Sequence, residues 1–150
     1  MADSAAQSTA MPWLKSYPEG IDWHAPIEQR PLYEILDHSV KRFGDRPCAD
    51  FLGKNYTYAE IGRLVDSAAA GLQAIGVGKD SRVGLFLPNT PYYVVFFFAV
   101  LKAGGTVVNF NPLYAERELV HQIEDSGTDI MVTLDLKAVS YTHLRAHETR

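Results

Sequence analysis

From Arg82 to Pro112 the hydrophobic pattern reads as strand, helix, strand. Arg82-Val83-Gly84-Leu85-Phe86-Leu87 is a short, nearly continuous apolar run stopped by Pro88-Asn89, which predicts a strand buried on both faces. Thr90 is then the natural N-cap and Pro91 the first helical residue, where a missing N–H costs nothing. The helix continues through Leu101 and closes on Lys102-Ala103-Gly104-Gly105, a basic last turn followed by glycine. Thr106-Val107-Val108-Asn109 is the next strand. Between Tyr92 and Leu101 no face of the helix is polar, so it must be covered on every side. Its apolar run is about half of the roughly 20 residues needed to span a bilayer, so protein is the expected cover.

The rest of the chain alternates the same two periods. Leu32, Ile35, Leu36, Val40 and Phe43 recur at spacings of three and four, predicting an amphipathic helix over 31–43 on the outside of the body. Cys48 to Leu52 and Tyr56-Thr57 form a small hairpin, with Gly53-Lys54-Asn55 expected as its turn. Thr57-Tyr58-Ala59-Glu60 has the form of a capping box and opens a long helix. Ile61, Leu64, Val65, Ala68, Ala69, Leu72 and Ile75 make that helix's predicted buried stripe. Gly76-Val77-Gly78-Lys79 follows a helix and precedes a strand, the reverse of a phosphate loop, and reads as a turn. A further helix is expected from about Ala115 to Ser126, with Leu119, Val120 and Ile123 inward, then a strand over 129–134. Strands alternating with helices imply an α/β fold with a mostly parallel, helix-flanked sheet.

Residues 1–11 are Ala/Ser-rich and read as a disordered leader. Residues 12–30 form an irregular arm carrying Trp13, Tyr17 and Trp23, aromatics expected to dock onto protein or, less favourably, a membrane interface. The composition, 47% hydrophobic and 21% charged, is globular. A net charge of −4 with no basic stripe argues against nucleic acid as a partner. Cys48 is the single cysteine, which excludes a disulfide within the chain and fits a reducing cytoplasm.

Candidate chemistry is sparse. In an open parallel sheet, ligands bind beyond the carboxyl ends of the strands. Those ends carry Pro88, Asn89 and Thr90, then Asn109, Phe110 and Asn111, then Asp135, residues that also suit helix starts and turns. His24, His38 and His121 are scattered. His143 and His147 share a helical spacing without a third ligand. Glu116, Glu118, Glu124 and Asp125 read as a solvated helix face. No catalytic, cofactor-binding or metal-ligating residue is assigned.

The order of segments resembles the N-terminal part of the adenylate-forming enzymes, the AMP-dependent synthetase/ligase superfamily, in its long-chain fatty acid–CoA ligase branch. The resemblance rests on Tyr56-Thr57-Tyr58-Ala59-Glu60-Ile61, on Val83 to Asn89, on Leu101-Lys102-Ala103-Gly104-Gly105, and on Asn109-Phe110-Asn111-Pro112-Leu113-Tyr114 with Glu118-Leu119. Pro12-Trp13-Leu14-Lys15-Ser16-Tyr17-Pro18 resembles the leader of the long-chain branch. It implies a partial large domain over 31–138, from a parent that uses ATP and Mg2+ to turn a fatty acid into an acyl-adenylate and then passes the acyl group to CoA. In the family the phosphate-binding loop with its lysine, the metal-binding glutamate, the ribose-binding aspartate and the C-terminal lysine all follow the matched region. The chain by itself is therefore expected to be inactive. The rival readings are a non-catalytic α/β module that binds a partner through Phe96–Phe98, and a medium-chain or aryl acid–CoA ligase. The resemblance also admits a homodimer formed through the arm, which the residues do not support, and peripheral contact at the inner membrane.

Two departures stand out. Ala115 occupies a position that is usually threonine in the family, which removes a helix cap. Residues 139–150 do not continue the family pattern and read as a sequencing or assembly scar, which re-amplification of the locus would expose.

Overall fold

The computed structural model describes residues 11–134. Asp135, His143, His147 and the 139–150 segment lie outside them, as does residues 1–10 of the leader. Two compact units divide at Arg30 and Pro31.

The first unit is less irregular than expected, because Pro12–Ser16 forms a 3-10 turn. Its aromatics pack on one another. The Tyr17 and Trp23 rings meet edge to face at 4.9 Å, and Trp13 lies tilted 6.3 Å from Trp23. All three remain exposed.

The second unit begins with helix α1 (Glu34–Phe43) and a hairpin of β1 (Pro47–Phe51) and β2 (Lys54–Thr57). Helix α2 (Tyr58–Ala74), strand β3 (Arg82–Phe86), helix α3 (Pro91–Ala103), strand β4 (Thr106–Asn109), helix α4 (Glu116–Ser126) and strand β5 (Ile130–Thr133) follow. The sheet is parallel in the order β4-β3-β5. Successive strand residues point to opposite faces, and the packing shows it. Val83, Leu85, Val107, Ile130 and Val132 join one cluster with α2 and α3, whereas Phe86, Val108 and Met131 join a second with Leu119 and Ile123 of α4. Helices therefore cover both faces of the sheet. Gly84 belongs to the second face, where a Cβ would meet the Phe110 ring at 2.7 Å and the Met131 sulfur at 3.0 Å. Only a hydrogen lets that ring fold over the strand.

Local signals explain most boundaries. The capping box at α2 is complete: Glu60 N–H donates to Thr57 Oγ1 at 3.1 Å, and Thr57 N–H donates to Glu60 Oε2 at 2.8 Å. Pro91 opens α3, and Gly104 ends it at φ 94, a left-handed conformation that suits glycine. Helix α4 keeps half a box, because Ala115 has no acceptor but its N–H still donates to Glu118 Oε2 at 2.9 Å. The Gly76–Asp80 segment is the turn that the sequence predicts.

Four expectations need correction. The hairpin turn is Leu52-Gly53, at φ 51 and 78, and Asn55 lies in β2 opposite Asp50. A leucine in this region costs about 1–2 kcal/mol through its Cβ, and Leu52 is 90% exposed, so no packing offsets it. Helix α1 starts in the turn at Pro31 but regular helix begins at Glu34; it buries Leu36 and leaves Leu32 and Ile35 exposed. In α2, Leu64 and Ile75 are exposed rather than in the stripe. Thr90 has N-cap backbone geometry, φ −134 and ψ 163, yet its hydroxyl makes no cap bond.

Lys102 is more than a favourable end charge on α3. Its Nζ lies 2.8 Å from Asp37 Oδ1 of α1 and 2.7 Å from Asp66 Oδ1 of α2, so one ammonium joins three helices. The Asp37 bond, then the Asp66 bond, raise the lysine above its ordinary pKa. A raised pKa on a base means that the stabilisation is complete below the unfolded value, about 10.4, and disappears as pH climbs through the folded value. Lys102→Met is expected to cost about 1 kcal/mol at pH 7, with the gap from the parent chain narrowing above about pH 10.4. Urea unfolding at pH 7 and pH 11 checks this; an equal gap at both would contradict it.

Candidate functional site

Helix α3 leaves β3 on one face of the sheet and α4 leaves β4 on the other. The segments after the two strands, 87–90 and 110–115, therefore diverge. This is a topological switch point, where open α/β sheets form their ligand crevice.

Asn109 is fixed there from both sides. Tyr93 Oη, in the first turn of α3, donates to Asn109 Oδ1 at 2.8 Å, and Gln122 Nε2 of α4 donates to the Asn109 carbonyl at 2.9 Å. Asn111 Oδ1 accepts the Leu113 N–H at 3.0 Å, the turn role that its place before Pro112 predicts. Phe110 does not line a crevice; its N–H donates to the Leu85 carbonyl and its ring is buried with Phe86 and Leu119. Asn89 is exposed beside Thr90. Three buried polar atoms, Thr90 Oγ1, Gln122 Oε1 and Thr133 Oγ1, have no hydrogen-bond partner among the described residues.

Tyr93, Gln122 and Thr133 were not singled out by sequence. Gln122 had a signal, since it stands three residues after inward-facing Leu119 and beside Ile123. Tyr93 gave none, because it lies within an unbroken aromatic and aliphatic run.

The chemistry available is neutral. Neither 88–93 nor 109–114 contains a charged residue. Lys102 is at the far end of α3 and held by two carboxylates. Hydroxyls and amides of this kind can bind uncharged polar groups, but they bring no positive charge to a triphosphate. Among the described residues no group of three or more His, Cys, Asp or Glu could hold a metal. His38 and His121 are exposed, and the His24 N–H donates to Asp22 Oδ1. Burial pushes the Cys48 thiol up, which keeps it protonated and a poor nucleophile near neutral pH. Glu116, Glu118, Glu124 and Asp125 are exposed, as a solvated face requires.

These features define a parallel α/β domain, helix-covered on both faces, whose segments 88–93 and 109–114 at the switch point carry no charged residue. A family model described as AMP-binding enzyme matches residues 36–150. A Bacillus subtilis protein named long-chain-fatty-acid--CoA ligase is 42% identical over 125 residues, covering 83% of this chain and 22% of that protein. Triostin synthetase I of Streptomyces triostinicus is 39% identical over 98 residues, covering 65% and 19%. Among solved structures, the inhibitor-bound N-terminal domain of FACL13 from Mycobacterium tuberculosis matches at TM-score 0.71 and 24% identity, covering 80% of this chain and 31% of that one. The N-terminal subdomain of Klebsiella oxytoca NpsA, in complex with anthranilyl-AMSN, matches at TM-score 0.69 and 24% identity, covering 74% and 28%. The chain belongs to the AMP-binding enzyme family, the adenylate-forming ligases. Its fold is that of their N-terminal adenylation subdomains. It spans about a fifth of the length of the curated relatives that it matches.

The Tyr93–Asn109 bond gives a direct test of what holds the first turn of α3 to the end of β4. Tyr93→Phe is expected to cost about 1 kcal/mol and to speed amide exchange across 110–114 while leaving α2 unchanged. Hydrogen exchange read by mass spectrometry distinguishes this from a uniform loss of protection, which would mean that the bond does not act locally.

Proposed function

We propose that the chain is the N-terminal portion of an ATP-dependent long-chain fatty acid–CoA ligase. Such an enzyme converts a fatty acid and ATP to an acyl-adenylate and pyrophosphate, then transfers the acyl group to the thiol of CoA. The observation that carries this reading is the 42% identity over 125 residues to the Bacillus subtilis protein of that name. Sequence order supports it too, through the Tyr56–Ile61, Leu101–Gly105 and Asn109–Tyr114 segments.

The residues present do not fit the groups that carry the chemistry. The acyl-adenylate step needs donors and metal aimed at the charge developing on the α-phosphate, and among the described residues the segments 88–93 and 109–114 offer no cation and no cluster could hold a metal. ATP and Mg2+ are accordingly assigned to other parts of the parent. This portion supplies one covered sheet and strand-end segments, 88–93 and 109–114, that carry no charged residue.

No helix among the described residues is long and apolar enough to cross a membrane. Under this reading, contact with a membrane surface or a second subunit falls to the arm, where Trp13, Tyr17 and Trp23 are exposed.

ATP–pyrophosphate exchange tests the proposal. The 150-residue chain should give no exchange above blank with palmitate. The reading frame extended past Ala138 should give exchange with palmitate at least tenfold above that with benzoate. Exchange by the short chain would overturn the division of labour, and preference for benzoate would replace the fatty acid by an aryl acid.

A further inference from the structure

The hairpin and the first turns of α2 enclose a shallow cleft of about 230 Å3, lined by Lys54, Tyr56, Glu60, Arg63 and Leu64. Its floor is apolar. The Tyr56 ring is nearly buried, and Leu64, which helical periodicity would have placed in the core, stands open beside it. Its rim is cationic, with Lys54 Nζ 4.5 Å above the centre of the Tyr56 ring and Arg63 exposed. Glu60 is the single carboxylate in the lining, and it is engaged in the capping box through Thr57. The Thr57 N–H, more than the nearby Lys54 and Arg63, holds its carboxyl below the usual range. Two cations against one committed carboxylate leave a local excess of +1 in a chain of net charge −4.

A second observation lies two residues away. Leu52 sits at the hairpin tip in a left-handed conformation, exposed and without internal compensation. Strain of this kind persists where a contact outside the local fold makes use of it.

We propose that the hairpin end and this cleft dock an acidic, apolar segment of a partner protein. Its carboxylate lies between Lys54 and Arg63, its apolar side chain rests on the exposed Leu64 at the edge of the Tyr56 ring, and Leu52 supplies an adjacent contact. The cleft is smaller than the roughly 300–1,000 Å3 typical of ligand pockets, a size for one or two side chains rather than a whole metabolite. The charge complementarity favours a carboxylate over a cationic or neutral segment. This proposal does not depend on the ligase reading.

Fluorescence anisotropy of labelled peptides against the purified chain tests it, using a peptide of alternating leucine and glutamate and its leucine–glutamine counterpart. The acidic peptide should bind at least tenfold more tightly, and the Lys54→Glu, Arg63→Glu double variant, altered only at exposed positions, should lose that preference. Leu52→Asn should weaken binding severalfold while the thermal midpoint stays level or rises, because asparagine tolerates the left-handed conformation. Equal affinity for the two peptides, or undiminished binding by the double variant, would overturn the proposal. So would sedimentation with phosphatidylcholine–phosphatidylglycerol vesicles in the absence of any peptide binding, which would make the tip a lipid contact.

Discussion

Val95, Ala99, Val100 and Ala103 of α3 are buried in one cluster with Ile61, Val65, Ala69 and Leu72 of α2 and with Val83 and Leu85 of β3. A helix that lacks a polar face has to be packed in this way, and each large side chain so covered contributes roughly 1.5–3 kcal/mol. The sheet covers one side of α3 and α2 covers another. What is left is an arc in which Tyr93, Val94, Phe96, Phe97 and Phe98 are half-buried and Tyr92 is 49% exposed. The rings there turn to one another, Tyr93 stacking on Phe97 and Phe97 meeting Phe98 edge on. That mutual cover is partial, so the phenylalanines are not sealed in a core and part of their surface stays accessible.

The position of α3 sets the rest. Because it occupies one face of the sheet, the crossover from β4 to β5 passes over the other, and α4 buries Leu119 against Phe86 and Phe110. The connections that leave β3 and β4 diverge for that reason. Lys102 fastens the opposite end of α3 to α1 and α2. Charge is thus gathered at one end of the helix, while the segments 88–93 and 109–114 at the other carry none.

Regular elements were legible in the sequence because each is specified locally. The capping box at Thr57 and Glu60, Pro91 at a helix start and Gly104 at its end act over three or four residues, and the structure has all of them. The parallel sheet followed from strands alternating with helices. Features that depend on distant partners were not legible. Asp37 lies 65 residues from Lys102, and no periodicity announces that pair. Asn109 is held by Tyr93 and Gln122 from two different helices. The hairpin turn was misplaced for a different reason: Leu52 breaks the preference that makes turns readable, taking a conformation usually left to glycine or asparagine. Candidate site residues were read only as strand ends; 87–90 and 110–111 do follow β3 and β4, and of their contacts only the Asn111 turn was announced.

The central claim is that the described residues cover α3 only in part, leaving a half-buried arc of aromatic side chains that further protein can cover. Sedimentation velocity of the purified 150-residue chain over a wide concentration range tests this most directly. Association that grows with concentration, as molecules cover one another's phenylalanines, is the expected result. A single monomeric species at every concentration would contradict it.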